Sequence, residues 1–490
     1  MARHNEERAV SVPTPAATLR EFGHELIERM AAHLDRVESL LVSTPRAPRE
    51  IAKEFVSPLP LEGANAAEVW DDVWSRIAGE SIQLHHPMYM GHQVAPPLSH
   101  AVLADALVSL LNQSLAVWEM SPTGTFIEAE VLRWMRELLG FPATSDGTFV
   151  SGGSVANLTA LLAAREARFP GVWRRGVAGG EGAERAVVFV TDHSHYSMER
   201  AVGIMGLGSD AVVPVPSRGG KMDVAALAQL LAQAHRDGRI PLAVVATAGS
   251  TPTGSFDDLA AVADVAAAEG VWLHVDGAHG ASFLASERLR PLLRGIERAD
   301  SVSWDPHKMM FMPISAGAVF VRERRHLDAA FQQSAPYLFH PRPGEERSYD
   351  SGRRTLQCSR RADAFKVWVA LRHYGLRYFG ELQERTVDAT SLLYQKLSQT
   401  TDFEPMHRPE SNILCFRHLP ERVRGRSPEE IDAFQGTLRE RYNASGKGWI
   451  TATVLEGRRV LRVTLINPRT EEEHLDRLIA GLREVGEGVG

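Results

Sequence analysis

The sequence predicts an α/β protein built on a mostly parallel sheet, with a helical segment before it and a smaller α+β unit after it. Three observations carry this. Short runs rich in β-branched residues occur at Ala186–Val190, Leu242–Thr247, Val271–Val275 and Gly317–Val321. Helical patterns such as Leu259–Glu269 separate most of these runs, and such alternation implies parallel strands covered on both faces. After Arg322 the rhythm changes to a loop, several helical segments and a late strand. With 490 residues the chain is also too long for one simple core.

In chain order, Met1–Pro15 reads as loosely attached. From Ala17 to Leu41 the residues Leu19, Phe22, Leu26, Met30, Leu34, Val37 and Leu41 recur every three or four positions, which describes one amphipathic helix with a single apolar stripe. That stripe needs a cover, either the body of the same chain or a second subunit. Pro45, Pro48, Pro58 and Pro60 then form an extended connector. In the parallel region ligands bind beyond the carboxyl ends of strands, so the residues just after each strand are the candidates for a site. His326–Ser351, with Pro336, Pro341, Pro343 and Gly344, reads as a long mobile loop, a feature that is usually functional or disordered. A helix over Ala362–Tyr374, a strand at Val460–Leu465 and a closing amphipathic helix complete the smaller unit. The expected division is a helical and dimerisation segment (1–95), a large α/β domain that includes the loop 326–351 (96–345), and a small α+β domain (346–490).

Composition narrows the function. It is ordinary for a soluble globular protein, 44% hydrophobic and 23% charged, and a net charge of −7 argues against a nucleic-acid partner. No run of 18 apolar residues exists, so no membrane span is expected, and the polar start shows no signal peptide. Two cysteines, Cys358 and Cys415, allow at most one bridge and fit a cytoplasmic setting. Lysine occurs only at 53, 221, 308, 366, 396 and 447, so each one can be weighed singly.

Four strand ends carry candidate chemistry. Ser151-Gly152-Gly153-Ser154 enters a helix, and small residues there expose backbone N–H groups to a phosphate; a plain turn with a serine cap is the other reading. Asp192-His193-Ser194-His195-Tyr196 follows a strand, and its imidazoles suit stacking, metal binding or mere solvation. Asp276, ending the run Val271–Val275, is costly to bury without a partner, so it implies a cation such as a protonated pyridine nitrogen, a metal, or a helix cap. Lys308, in Ser303-Trp304-Asp305-Pro306-His307-Lys308-Met309-Met310, sits among apolar residues and is either a desolvated, imine-forming amine or a lysine that snorkels to solvent. A phosphate cradle, a stacking ring, an acid for a pyridine nitrogen and an imine-forming lysine together are what pyridoxal 5′-phosphate (PLP) requires.

Further motifs point the same way: Thr247-Ala248-Gly249-Ser250-Thr251 with Gly254 and Asp257, Pro336-Tyr337-Leu338-Phe339, and Leu356-Gln357-Cys358 with Asp363, Lys366 and Trp368. On these the chain resembles the group II PLP-dependent amino-acid decarboxylases, which act on glutamate, cysteine sulfinate, aspartate or aromatic L-amino acids, and it looks closest to the glutamate/cysteine-sulfinate branch. The resemblance implies the aspartate-aminotransferase-like fold (fold type I). It also implies loss of the α-carboxylate of an L-amino acid as CO₂, with a leaning to an acidic substrate, and a homodimer with shared active sites. By position, Lys308 resembles the Schiff-base lysine, Asp276 the partner of the pyridine nitrogen and His195 the stacked imidazole. Gly153, Ser154, Asp305 and His307 match the phosphate region, and Thr247 and Ala278 the lining of the ring. Tyr337 resembles the residue that returns a proton to Cα, and Arg462, with Gln93 or His92, a substrate-binding group. No metal is expected. Three departures stand out: Asp305 replaces the family's Asn, His279 stands where glutamate-type enzymes carry Trp, and His86–Gln93 matches only loosely. An extra carboxylate beside a phosphate repels it unless a proton or cation intervenes. The rival readings are an aromatic or diamino acid substrate, decarboxylation-dependent oxidative deamination, and a non-catalytic PLP-binding regulatory homologue. The intact set of Lys308, Asp276, His195 and Tyr337 argues against the last.

Overall fold

Seven strands make the main sheet: β1 (Asp146–Val150), β2 (Ala186–Thr191), β3 (Val212–Val215), β4 (Ile240–Thr247), β5 (Trp272–Asp276), β6 (Ser301–Trp304) and β7 (Gly317–Val321). The computed structural model describes residues 15–340 and 348–489. The expected loose N-terminus up to residue 14, and the part of the 326–351 loop that holds Pro341, Pro343 and Gly344, lie outside the described residues. The strand order is β1-β7-β6-β5-β4-β2-β3, with β7 alone antiparallel to its neighbours and every other pairing parallel. All residues of β2, β6 and β7 are buried, as strands covered on both faces must be. The four runs read from the sequence are β2, β4, β5 and β7. The Ser-Val-Ser-Trp of β6 shows no apolar run, yet it is wholly buried because its serines bond to groups on neighbouring elements.

The helices follow from their ends and faces. Leu259–Glu269 begins with the Asp258 carboxylate accepting the Ala261 N–H and stops at Gly270, whose φ of 61° is left-handed. Gly153–Arg168 packs across β4 to β7 and is buried without a break from Ala156 to Glu166, the pattern of a helix enclosed on all sides. The N-terminal stripe forms Pro15–Asp35 plus one 3₁₀ turn at Val37–Ser39. Of the stripe, Val37 is buried, Phe22, Leu26, Met30 and Leu34 are half-buried, and Leu19 and Leu41 are exposed, so the body of this chain covers it only in part. The segment His326–Ser351 is not loop throughout. A helix, Arg324–Ala330, takes its first residues because Leu327 and Ala330 bury into the core, and the prolines that signal a loop begin only at Pro336.

A second, antiparallel sheet holds β8 (Phe403–Pro405), β9 (Ile413–His418), β10 (Thr451–Leu455) and β11 (Arg458–Thr464) in the order β8-β9-β11-β10. The helices Pro428–Ala444 and Glu472–Glu487 pack on it. Among the described residues no helix is long and apolar enough to cross a membrane, and Cys358 and Cys415 are free thiols.

Candidate active site

The register of the main sheet brings the chemistry together. Thr247 pairs with Asp276 and Asp276 with Ser303, so the carboxyl ends of β4, β5 and β6 finish in one row. Beyond them opens a cavity of about 330 Å³ lined by Gly153, Ser154, His195, Thr247, Asp276, Ala278, Asp305, His307 and Lys308, among others. That volume suits a small cofactor. A second cavity, of about 450 Å³, lies between the helix Pro122–Leu138 and β1 and contains none of these residues.

Asp276 is 7% exposed, and its partners are all neutral. Oδ2 accepts from Asn157 Nδ2 at 3.1 Å; Oδ1 accepts from Ser303 Oγ at 3.1 Å and from the Ala278 N–H at 3.2 Å. A buried carboxylate held only by neutral donors keeps an uncompensated charge, which is the environment that favours a protonated pyridine nitrogen. Lys308 stands in the turn after β6, where its N–H donates to the Asp305 carbonyl at 3.0 Å. Its Nζ lies 3.5 Å from Asp305 Oδ2 and its side chain is 20% exposed, so the amine reaches the cavity.

Asp305 explains one departure and corrects one expectation. Its Oδ2 accepts the Gly153 N–H at 2.9 Å, so the amide that the sequence offered to a phosphate is already engaged. The Lys308 amine, 3.5 Å from Oδ2, is the cation at hand, while burial holds His307, whose Nε2 is also 3.5 Å away, below its ordinary pKa. Gly152, not a serine, caps the helix Gly153–Arg168. Its φ of 153° is rarely adopted by L residues, and a Cβ there would meet His307 Cε1 at 3.1 Å. Ser154 and His307 line the same end of the cavity, and burial holds the His307 imidazole below its ordinary pKa.

His195 accepts through Nδ1 from the Ser197 N–H at 3.3 Å, with Ser197 Oγ 2.9 Å from the same nitrogen, and burial holds its pKa below the ordinary imidazole value. His193 is not on the cavity, and among the described residues no three His, Cys, Asp or Glu side chains gather as a metal site. The Thr247 N–H donates to Asp257 Oδ2 at 2.7 Å, while its Oγ1 is buried without a partner. Burial pushes Asp257 up to about 6.

Arg462, Gln93 and His92 are not among the residues that line this cavity. Arg462, on β11, is 5% exposed and donates from Nη1 to Thr451 Oγ1 at 3.2 Å, but Nε and Nη2 have no partner and burial draws its pKa down. Gln93 Nε2 is likewise buried and unpartnered, and the charge of Arg462 helps depress His92 and His279. His279 does line the cavity; its Nε2 lies 2.8 Å from Asn412 Oδ1, and burial pushes it down to about 3. Tyr337 is 84% exposed and is not brought to the cavity of its own chain. The sequence reading missed the residues that hold Asp276, namely Asn157 and Ser303. Asn157 lies four residues after Gly153, on the same helix face, and that spacing was the available signal.

The pyridoxal-dependent decarboxylase conserved domain matches residues 54–419. An L-2,4-diaminobutyrate decarboxylase of Rhizobium meliloti is 34% identical over 434 residues, 88% of this chain and 84% of that protein. An acidic amino acid decarboxylase of Bos taurus is 32% identical over 417 residues, 84% and 79% of the two chains. Among solved structures, Oryza sativa TDC with PLP and tryptamine superposes with a TM-score of 0.90 at 25% identity, covering 98% of this chain and all of that one. The fold is therefore that of the fold type I PLP decarboxylases.

Proposed function

The chain belongs to the pyridoxal-dependent decarboxylase family, and we propose that within it this protein decarboxylates an acidic L-amino acid such as glutamate, aspartate or cysteine sulfinate. PLP, when bound, supplies a protonated ring into which the electrons of the breaking Cα–carboxylate bond delocalise. Lys308 is the amine that holds it covalently. Asp276 keeps the ring nitrogen protonated, and its preset orientation stabilises charge that grows only as the bond breaks. Neutral His195, Thr247 and Ala278 would line the ring, and Ser154 and His307 would hold its phosphate end. The proton that replaces CO₂ would come from Tyr337 or from His195.

The acidic leaning rests on the resemblance to the glutamate/cysteine-sulfinate branch; Arg462, a buried guanidinium with two unpartnered nitrogens and no ion pair among the described residues, is a seat for a substrate carboxylate but does not by itself tell an acidic substrate from another amino acid. Such a group is completed by a carboxylate, which can bond it through two parallel N–H donors; Gln93 and His92 are the neighbours that would orient the rest of the substrate. A diamino acid is the second reading, favoured by the 34% identity to the diaminobutyrate enzyme. CO₂ release from purified, PLP-loaded protein should be greatest with the acidic amino acids. Release from 2,4-diaminobutyrate or aromatic amino acids alone would overturn the assignment. Aldehyde, ammonia and oxygen consumption in the same assay would reveal oxidative deamination instead.

Two surfaces support a homodimer that shares its sites. The helix Ser99–Leu111 exposes Leu103, Leu107, Leu110 and Leu111, and the N-terminal stripe is only half covered, with Leu19 and Leu41 exposed; apolar surface of this extent marks an interface. An exposed Tyr337 fits a loop that serves the partner's site. The free thiols fit a reducing, cytoplasmic setting.

A further inference from the structure

We infer that a one-way hydrogen-bond relay, running from Trp272 through Ser301, buried His274 and Asn157 to His195, sets the tautomer of His195 and the aim of Asp276. His274 and Asn157 are then positioning residues of the reaction. The inference rests on the roles proposed above for Asp276 and His195.

An indole N–H can only donate, and Trp272 Nε1 gives its proton to Ser301 Oγ at 2.8 Å. The Ser301 hydroxyl turns to His274 Nδ1 at 2.9 Å, which leaves the His274 proton on Nε2, 3.0 Å from Asn157 Oδ1. That contact orients the Asn157 amide. Its Nδ2 donates to Asp276 Oδ2 at 3.1 Å and to Ser197 Oγ at 3.0 Å. Ser197 in turn gives its hydroxyl proton to His195 Nδ1 at 2.9 Å, and its backbone N–H points at the same nitrogen from 3.3 Å.

The Trp272 indole is a fixed donor at one end, and at the other the longer 3.3 Å contact from the Ser197 amide favours the same direction without fixing it alone. Reversing the chain would turn Asn157 Oδ1 toward the Asp276 carboxylate, setting two acceptors face to face in a buried site. His274 is 0% exposed, and burial lowers its pKa to about 4, so it carries one proton and must choose which nitrogen bears it. The outcome at the far end is chemical. Neutral His195 holds its proton on Nε2 and presents a donor rather than a lone pair at that edge of the ring. Through Asn157 the same relay holds one Asp276 oxygen while Ser303 and Ala278 hold the other.

The test is made first on the protein without cofactor, labelled with ¹⁵N at histidine. Long-range ¹H–¹⁵N NMR, with His195 assigned by the signal lost in His195→Gln, should find its proton on Nε2. In His274→Leu the signature becomes a mixture of tautomers and the PLP dissociation constant rises about tenfold, the effect of losing one hydrogen bond of roughly 1.4 kcal/mol. His274→Gln, whose amide can accept from Ser301 and donate to Asn157, restores both. Should His274→Leu not fold, Ser301→Ala frees His274 Nδ1 and carries the same expectation. A proton on Nδ1 of wild-type His195 overturns the relay. So does a His274→Leu or Ser301→Ala protein that melts lower yet keeps the wild-type tautomer and PLP affinity. Failure of the proposed roles looks different: Asp276→Asn and His195→Gln would then turn over normally while the tautomer stands.

Discussion

Two buried regions of this molecule treat charge in opposite ways. Where the helices Ser99–Leu111 and Pro122–Leu138 meet the segment Arg360–Lys366, charges are closed on each other. Arg360 grips Glu128 through bonds of 2.6 and 2.7 Å, and Lys366, 0% exposed, lies 3.0 Å from Asp105 and 3.1 Å from Asp363. At the ends of β4 to β6 and on β11 they are open: Asp276 has only neutral donors, Arg462 has two bare nitrogens, and Lys308 comes no nearer than 3.5 Å to its one carboxylate. Breaking a closed pair costs stability because it strands a buried charge. Open charges give the fold little and are reserved for a ligand, which is why perturbed and unmet groups cluster at functional sites.

The contrast between the two lysines should give the largest effects. Lys308→Ala is expected to lose the visible absorbance of bound PLP and all multiple turnover, with little change in melting temperature. Lys366→Met is expected to lose about 3–5 kcal/mol of stability in urea unfolding while the folded fraction still binds PLP. If the two variants exchanged phenotypes, the distinction drawn here would fail. Next, Asp276→Asn should lower kcat by about 10²–10³-fold, the range seen when a group that stabilises transition-state charge is removed; steady-state kinetics at saturating PLP measure it, and an unchanged kcat would place the electron-withdrawing role elsewhere.

Asp305→Asn sharpens the comparison from the other side. It removes a carboxylate from the phosphate end of the site while an amide oxygen can still accept the Gly153 N–H. PLP should bind roughly tenfold more tightly, since a tenfold change is only about 1.4 kcal/mol and a like charge nearby can exceed that. Weaker binding in a fluorescence titration would mean that Asp305 helps hold the cofactor through His307 and Lys308. The smallest effect is one of pH. His274 and His279 are held neutral by burial, at about 4 and about 3, below the ordinary imidazole value. The unfolded chain therefore takes up protons first as pH falls. The stability these residues contribute is complete above about 6.5 and is lost as pH drops toward 4, at about 1.4 kcal/mol per unit for each. His279→Phe should flatten the melting-temperature profile over that window, and an unaltered slope would show that His279 is not the group responsible.

Much of the site was legible as local chemistry. Lys308 beside apolar methionines, Asp276 closing an apolar run, and Gly152-Gly153 entering a helix each carry a cost that only a ligand or a special backbone angle removes. The helix Leu259–Glu269 and the strands β2, β4, β5 and β7 were legible because their periodicity is undisturbed. β6 was not, since its serines are satisfied by Trp272, His274 and Asp276, 25 or more residues away in the chain. Nor was the engagement of the Gly153 amide by Asp305, a contact across 152 residues. The helix Arg324–Ala330 was hidden by the proline-rich stretch that follows it.

The order of residues along the chain is enough to read the inventory: which amine, acid, imidazole and guanidinium the molecule has, and on which strand end or turn each one stands. Local covalent geometry and hydrophobic periodicity act over a few residues, so they can be read along the chain. Only the tertiary structure decided which groups meet and in what orientation. It brings Asn157 to Asp276 and His274, turns the amide one way, leaves two nitrogens of Arg462 unpartnered among the described residues, and keeps Tyr337 away from its own cavity. Hydrogen bonds and charge pairs depend on distance and direction between atoms far apart in the chain, and those are set when the sheet and helices pack.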